Sequence, residues 1–330
     1  MSGYLTHRDL ARQLHSNNVN QHGPWPSCEN CRMDTLWRTW GSASPPGRIT
    51  QEAFELDDAH LRRLVRLRPG ERANASDLWD YSQDLLYTEI QGPLLAYLLP
   101  FCLNAWREDL RGMSTEYAGF VEWFYLVLAD REVLDGHLSS DQCVAVSEFM
   151  RQTILEEIDD QRGLSFGGRN ARQHGWVAAL TAYGVLLPDA ELLWNSWWSL
   201  NTIGRAIAAV QYVSCLMYPE NENPVFAPWT PDAGGGPPCL WDFEGHLYTH
   251  RWLQPNVDFL KGFLAVSTVS DVLTRAVERL ADQPEHKIAA GIRDDLPLTI
   301  ETLRARCAEL PLLLATTQEP GSVVDFEWSR

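Results

Sequence analysis

The chain has 330 residues, of which 44 are acidic and 27 are basic, so its formal net charge at pH 7 is -17. Hydrophobic residues make up 45% of the chain and charged residues 22%, a composition that is typical of a folded globular protein and excludes a disordered one. A field of this sign attracts cationic partners and repels nucleic acids and anionic membrane surfaces.

Residues 1–52 predict an irregular N-terminal arm, because residues 16–50 are rich in Asn, Gly, Pro and Ser, which interrupt regular structure. The first 14 residues contain no apolar stretch, so we expect no secretory signal and a cytoplasmic location. The seven cysteines form an odd set in which only Cys28 and Cys31 are close together, which favours reduced thiols over disulfides. No apolar run approaches the roughly 18–20 residues that span a bilayer.

From about Asp57 onward, apolar residues recur every three to four positions, which is the spacing of amphipathic helices. The first helix is expected to stop at Pro69–Gly70. The next helix is predicted from a cap at Ser76–Asp77 to Ile90, and another covers the apolar run 94–106. A further helix is predicted from Tyr117 to a left-handed terminator at Gly136. The fourth begins at a capping box formed by Ser139 and Gln142 and ends by Gly163. The run 94–106 is apolar on all sides, so we expect it at the centre of the core.

Two helices are predicted between Arg169 and Tyr218, with a break near Pro188–Asp189 and three tryptophans in the second helix. A long Pro- and Gly-rich loop is predicted near 219–256, followed by one helix through 259–280 and another at about 299–310. The sequence therefore predicts an all-α fold, an irregular multi-helix bundle or an array of antiparallel helix pairs. Residues 53–330 are expected to form a single helical domain that the long loop interrupts.

Two groups of residues have the types and spacing of metal ligands. Within the long loop, alternate positions carry carboxylates and imidazoles that an extended backbone would place on one side, namely Asp242, Glu244, His246 and His250. The N-terminal arm contains a half zinc site, with two cysteines and upstream histidines, namely His15, His22, Cys28 and Cys31. The alternatives are a solvated polar ribbon in the loop and two reduced thiols in the arm. Zinc is therefore retained as an alternative, and we predict no cofactor.

A glycine-rich segment before the helix near residue 172 is a candidate anion site. Arg169, Arg172 and His174 follow Gly167–Gly168, so guanidinium groups and backbone N–H groups can converge on a phosphate or carboxylate there. The glycine spacing matches no nucleotide-binding motif. The alternative interpretation is a flexible connector between two helices.

Two clusters of acidic side chains are candidate partner-binding surfaces. Glu156, Glu157, Asp159 and Asp160 lie at the end of a predicted helix, and Glu220 and Glu222 lie in the long loop. Carboxylates in these positions can dock arginine and lysine side chains of a basic partner. The alternative is the solvated face of a helix.

The sequence contains no intact catalytic or nucleotide-binding signature. The first hypothesis is therefore an acidic cytosolic protein-binding protein, an inhibitor of the immunity or antitoxin type that binds a basic toxin or nuclease and neither nucleic acid nor membrane. The alternative is an enzyme of unknown class, with or without a metal, whose helical cleft is gated by the 219–256 loop. A third hypothesis, a scaffold subunit of a larger assembly, is favoured if the tryptophan-rich helix is exposed.

Overall fold

A computed structural model describes most of the chain between residues 36 and 315. The described residues are 36–37, 40, 44–54, 57–113, 116–117, 119–130, 133–164, 172–218, 222–225 and 251–315. The chain forms two compact units, Met1–Met150 and Arg151–Arg330. The predicted division into an arm at 1–52 and one helical domain at 53–330 stays a prediction.

All regular structure in the described residues is α-helical, which confirms the predicted all-α, multi-helix fold. The helices of the first unit are α1 Ala59–Leu64, α2 Ala75–Tyr87, α3 Gly92–Leu110, α4 Phe120–Asp130 and α5 Val133–His137. The boundary between the units falls within α6 Ser140–Asp159. The helices of the second unit are α7 Arg172–Leu186, α8 Ala190–Trp198, α9 Ile203–Met217, α10 Gln254–Phe263, α11 Val266–Arg279, α12 His286–Asp294 and α13 Leu296–Leu314.

Helix α3 lies in the core of the first unit, as the apolar run 94–106 predicts. Nearly all of its side chains in that run are buried, and α3 packs against α4 and α5. Pro93 stands in the first turn, where its missing N–H would have no helical acceptor. Pro100 lies inside the helix and is buried among its neighbours.

Helix α6 also follows its sequence pattern. The backbone N–H of Ser139 donates to Oε1 of Gln142 at 2.9 Å, and the N–H of Gln142 donates to Oγ of Ser139 at 3.3 Å, which completes the predicted capping box. Val146, Met150, Ile154 and Ile158, the predicted apolar face, are buried.

Three predicted helix boundaries in the first unit are wrong. Asn74, rather than Ser76–Asp77, caps α2, because its Oδ1 accepts from the N–H of Asp77. Helix α2 ends at Tyr87 and not at Ile90, because Thr88 adopts an extended conformation. Gly136 is not a left-handed terminator, since it lies within α5.

In the second unit, two predicted helices are each divided in two. The tryptophan-bearing helix stops at Trp198, because Leu200 has a φ of 57° and Thr202 caps α9 by accepting from the N–H of Arg205. The predicted helix 259–280 breaks at Leu264, and Ala265 is extended. Helix α12 has no counterpart in the prediction, and α13 begins at Leu296 rather than near residue 299.

The three tryptophans of α8 form the aromatic centre of the second unit. Trp194, Trp197 and Trp198 have exposed fractions of 1%, 0% and 3%. Their rings contact one another and also Tyr212 of α9 and Phe263 of α10, with centroids 4.8–6.0 Å apart. The tryptophan side chains of α8 are therefore buried, whereas a scaffold subunit was expected to expose them.

Most of the predicted long loop, residues 219–221 and 226–250, lies outside the described residues. Its last predicted residues are helical, because α10 begins at Gln254. Among the helices that the structure describes, none is both long enough and apolar enough to cross a bilayer.

Candidate functional site

A polar concave site in the described structure is built on α1 and α2 of the first unit. Helix α2 carries Asp77, Asp80 and Asp84 at spacings of three and four residues, which places the three carboxylates on one side of the helix. Helix α1 packs against α2 and carries His60 and Arg63, also three residues apart. The two helices therefore bring an imidazole and a guanidinium group to an acidic stripe.

His60 and Asp84 form a buried pair at this site. Nε2 of His60 lies 2.5 Å from Oδ2 of Asp84, and the exposed fractions of the two residues are 5% and 1%. The other carboxylate oxygen, Oδ1, accepts from the backbone N–H of Phe54 at 2.7 Å. Both oxygens of Asp84 are thus satisfied, as a buried carboxylate requires.

The pair raises the pKa of His60 above its ordinary value of 6.5. Burial acts in the opposite direction, since it penalises the imidazolium ion, but the hydrogen bond to Asp84 and the charges of Asp84, Asp80 and Asp77 together outweigh it. The imidazole of His60 therefore holds its proton more firmly at this site than it would in water.

Arg63 is held by Asp77 in a two-pronged ion pair. Nη2 of Arg63 lies 2.6 Å from Oδ1 of Asp77, and Nε lies 2.9 Å from Oδ2. The carboxylate of Asp77 is available for this pair because the side chain of Asn74 caps α2. Arg63 is therefore largely neutralised by Asp77.

An open cavity of about 200 Å³ lies at these side chains. At about 30 Å³ for each water molecule, it has room for roughly six waters or for the end of one long side chain. Its lining residues are Phe54, Asp57, Ala59, His60, Arg63, Asp80, Gln83 and Asp84. The cavity is thus acidic, with the His60–Asp84 pair in its wall.

An aromatic pair adjoins the cavity. The rings of Phe54 and Tyr87 lie 4.4 Å apart at an angle of 30°, and the two residues are 52% and 58% exposed. Aromatic faces attract cations as well as apolar groups. The combination of carboxylates and an exposed aromatic pair is suited to a ligand that is positively charged and partly apolar. No Ser, Cys or Thr is among the described residues that line the cavity.

The predicted acidic cluster at the end of α6 is engaged in contacts within the protein. Asp159 binds Arg205 of α9 through both oxygens, at 2.7 and 3.1 Å, and also accepts from Oγ1 of Thr202 at 2.6 Å. Gln161 donates to the backbone and side-chain oxygens of Glu157. Glu156 and Asp160 also have partners within the protein. The role of this cluster in binding a partner stays a prediction.

The other predicted site residues are mostly outside the described part of the chain. Those outside are Glu220, Asp242, Glu244, His246, His250, His15, His22, Cys28, Cys31 and Arg169. Glu222 is exposed, and the backbones of Arg172 and His174 lie in the first turn of α7. Among the described residues, no group of three or more His, Cys, Asp or Glu side chains has the arrangement of a metal site.

Sequence reasoning missed the cavity, although its signal is present. The spacing of Asp77, Asp80 and Asp84 marks one side of a helix, and His60 and Arg63 share a side of α1. What the sequence does not contain is the pairing of α1 with α2, which brings the two sets together.

The acidic excess by itself does not single out a binding surface. Residues 1–150 contain 21 acidic and 13 basic side chains, and residues 151–330 contain 23 and 14, so the excess is shared almost equally. The cavity on α1 and α2 places the carboxylates of Asp57, Asp80 and Asp84 together in an open, concave site. Comparisons with models of protein families, with curated proteins and with solved structures find no match to this chain.

Proposed function

We propose that the chain is an acidic binding protein that acts in the cytoplasm and binds a basic protein partner. In this role it resembles, in its physical principle, an immunity protein or antitoxin that neutralises a cationic toxin or nuclease. The observation that carries the proposal is the open cavity lined by Asp57, Asp80 and Asp84 in a chain with a net charge of -17. A concave acidic site combines long-range attraction with a place for one basic side chain to lodge.

The charge balance of the cavity supports this proposal. Three carboxylates line the cavity, those of Asp57, Asp80 and Asp84, together with the imidazole of His60 and the guanidinium group of Arg63, which is also paired with Asp77. The site therefore has an excess of negative charge even when His60 is protonated. A basic group from a partner would reduce this excess, whereas an anion would increase it.

Capture from the native cell at two salt concentrations tests the proposal. The full chain is immobilised, and an unrelated acidic protein of similar net charge serves as the control bait. At about 0.05 M salt the chain should retain a basic protein that the control does not retain. About 1 M salt should release that protein, because the Debye length is then roughly 3 Å and charges farther apart than this attract each other little. Retention of only neutral or acidic proteins, or retention that salt does not weaken, would contradict the proposal.

An enzyme is the second candidate, favoured by the His60–Asp84 pair. A carboxylate that orients an imidazole is a common general-base arrangement. Most of the 219–256 loop, which the sequence hypothesis assigned as a gate, lies outside the described residues. Turnover of ester or phosphate substrates by the wild-type chain, lost in His60→Gln, would support this candidate. Equal rates in the two proteins would count against it.

A further inference from the structure

We propose that the N-terminus of α3 binds a phosphate group. Three hydrogen-bond donors around this helix start have no partner among the described residues: the backbone N–H of Gly92, Nε2 of Gln51 and the imidazole of His137. The proposal does not rest on the proposed function, because none of these residues lines the acidic cavity. It concerns a second site of the first unit, with the opposite preference for charge.

Helix α3 has 19 residues, so its aligned peptide dipoles give its N-terminus a partial positive charge. Gly92 is its first residue, and the N–H of Gly92 meets no acceptor in the described part of the chain. Pro93 has no N–H, and the N–H groups of Leu94 and Leu95 both donate to the carbonyl of Gln91. No described side chain caps this helix start, so one N–H group and the dipole are available to an anion.

The buried side chain of Gln51 points to a ligand at this helix start. It is only 6% exposed, and its Oε1 accepts from the N–H of Gln91, the N-cap residue of α3, at 3.1 Å. This bond fixes the orientation of the carboxamide, because only its oxygen can accept. The Nε2 group of the same carboxamide therefore also lies at the helix start, and no described residue accepts from it. A buried donor without an acceptor costs free energy, and a bound oxyanion would remove that cost.

His137, the last residue of α5, adds a third donor. Helix α5 packs against α3, and a Cβ atom added to Gly92 would lie 3.6 Å from Nδ1 of His137, so the imidazole lies close to the first residue of α3. The side chain of His137 is exposed, and it forms no hydrogen bond or ion pair with the described residues. Gln91 and Gly92 are only half-buried. An anion from solvent can therefore reach the helix start.

These donors suit a phosphate group better than a carboxylate. A phosphate group presents three acceptor oxygens in different directions, so it can accept from a backbone N–H, an amide and an imidazole together. Arg48 is exposed, and its carbonyl accepts from Nε2 of Gln91 at 2.9 Å, which brings a guanidinium group to the same segment. Glu52 and Glu89 are exposed and the net charge is -17, so binding has to come from the local donors and not from the field of the whole protein.

Titration of the full chain with inorganic phosphate, followed by NMR with isotope-labelled glycine, tests the proposal. The N–H signal of Gly92 is assigned by its loss in Gly92→Ala, and sodium chloride holds the ionic strength constant at about 0.15 M. The signal of Gly92 should shift and saturate, whereas that of Gly262, in α10 of the other unit, should not shift. Acetate should bind at least about tenfold more weakly than phosphate. A saturable shift with N-acetyl-phosphoserine amide as well would assign the site to phosphate on a protein side chain, and a shift with inorganic phosphate alone would assign it to the free ion.

Two variants and one matched control assign the binding to this helix start. Gln51→Glu keeps the acceptor of the Gln91 N–H and replaces the free donor by a negative charge, so it should weaken phosphate binding about tenfold or more. His137→Ala, at an exposed position, should also weaken it. His286→Ala removes a histidine from the start of α12, in the other unit, and should leave binding unchanged. Circular dichroism confirms that each variant is folded. Unchanged binding in Gln51→Glu, equal effects of the two histidine variants, or a Gly92 signal that phosphate does not shift would overturn the proposal.

Discussion

Removal of the Asp84 carboxylate should destabilise α2 more at low pH than at high pH. His60 and Asp84 are almost fully buried and lie 2.5 Å apart, so solvent screens their interaction little. Breaking a buried ion pair costs about 3–5 kcal/mol, and a hydrogen bond to one charged group contributes about 1.5–3 kcal/mol. In a double-mutant cycle with His60→Gln and Asp84→Asn, we therefore expect a coupling free energy of about 3 kcal/mol while the imidazole is charged.

The sign of the pH dependence follows from the raised pKa of His60. A group whose pKa is higher in the folded protein than in the unfolded chain stabilises the fold fully below its unfolded pKa, 6.5 here. That contribution is lost as the pH rises through the folded pKa. The coupling should consequently be about 3 kcal/mol at pH 5.5 and fall toward about 1.5 kcal/mol at pH values above the folded pKa, where a neutral imidazole still donates to the carboxylate.

Hydrogen exchange of the α2 backbone amides is the appropriate assay. The chain forms two compact units, so a single global unfolding free energy does not isolate the pair. The matched control is Asp58→Asn, which breaks an exposed pair with Arg62 and should cost about 0.5 kcal/mol. A coupling below about 0.5 kcal/mol at pH 5.5, or one that grows as the pH rises, would refute the reasoning.

Two further predictions concern the second unit. Asn256→Ala should lower the free energy of unfolding by about 2–4 kcal/mol in urea titrations. The substitution removes the acceptor of the Ala190 N–H and the donor to the carbonyls of Gly184 and Leu187. A loss below about 1 kcal/mol would contradict this prediction. Gly204→Ala should cost about 2 kcal/mol or more, because a Cβ atom there would lie 2.3 Å from the carbonyl oxygen of Asp159. The control Gly262→Ala, which meets no atom within 4 Å, should be neutral or stabilising by about 0.5 kcal/mol, and equal losses for the two glycines would show that the contact has no effect.

The sequence predicts the helices with strong local signals and misses the boundaries that depend on tertiary contacts. Helix α6 has a capping box and one continuous buried face, so it follows from residues 139–163 alone. The break at Leu264 does not, because the apolar spacing continues from α10 into α11 and both helices bury that face. Similarly, Leu200 adopts a positive φ that its residue type does not favour.

The candidate site was less predictable than the fold. The acidic stripe of α2 is visible as a spacing, but a stripe of this kind is ordinarily a solvated helix face. Its importance comes from His60, which reaches Asp84 only because α1 folds back onto α2. The predicted cluster near residue 159 illustrates the converse, since Asp159 is a strong acidic signal in the sequence and is bound to Arg205 in the structure.

The most direct test of the central claim, that the carboxylates of the acidic cavity favour positive charge, is the pKa of His60 itself. It is measured by NMR on the full chain with labelled histidine, and the resonance is assigned with His60→Gln. The account predicts a pKa above 6.5 in the wild-type chain and a clear decrease in Asp84→Asn, which removes the hydrogen-bonded carboxylate. A pKa at or below 6.5, or one that Asp84→Asn leaves unchanged, would contradict it.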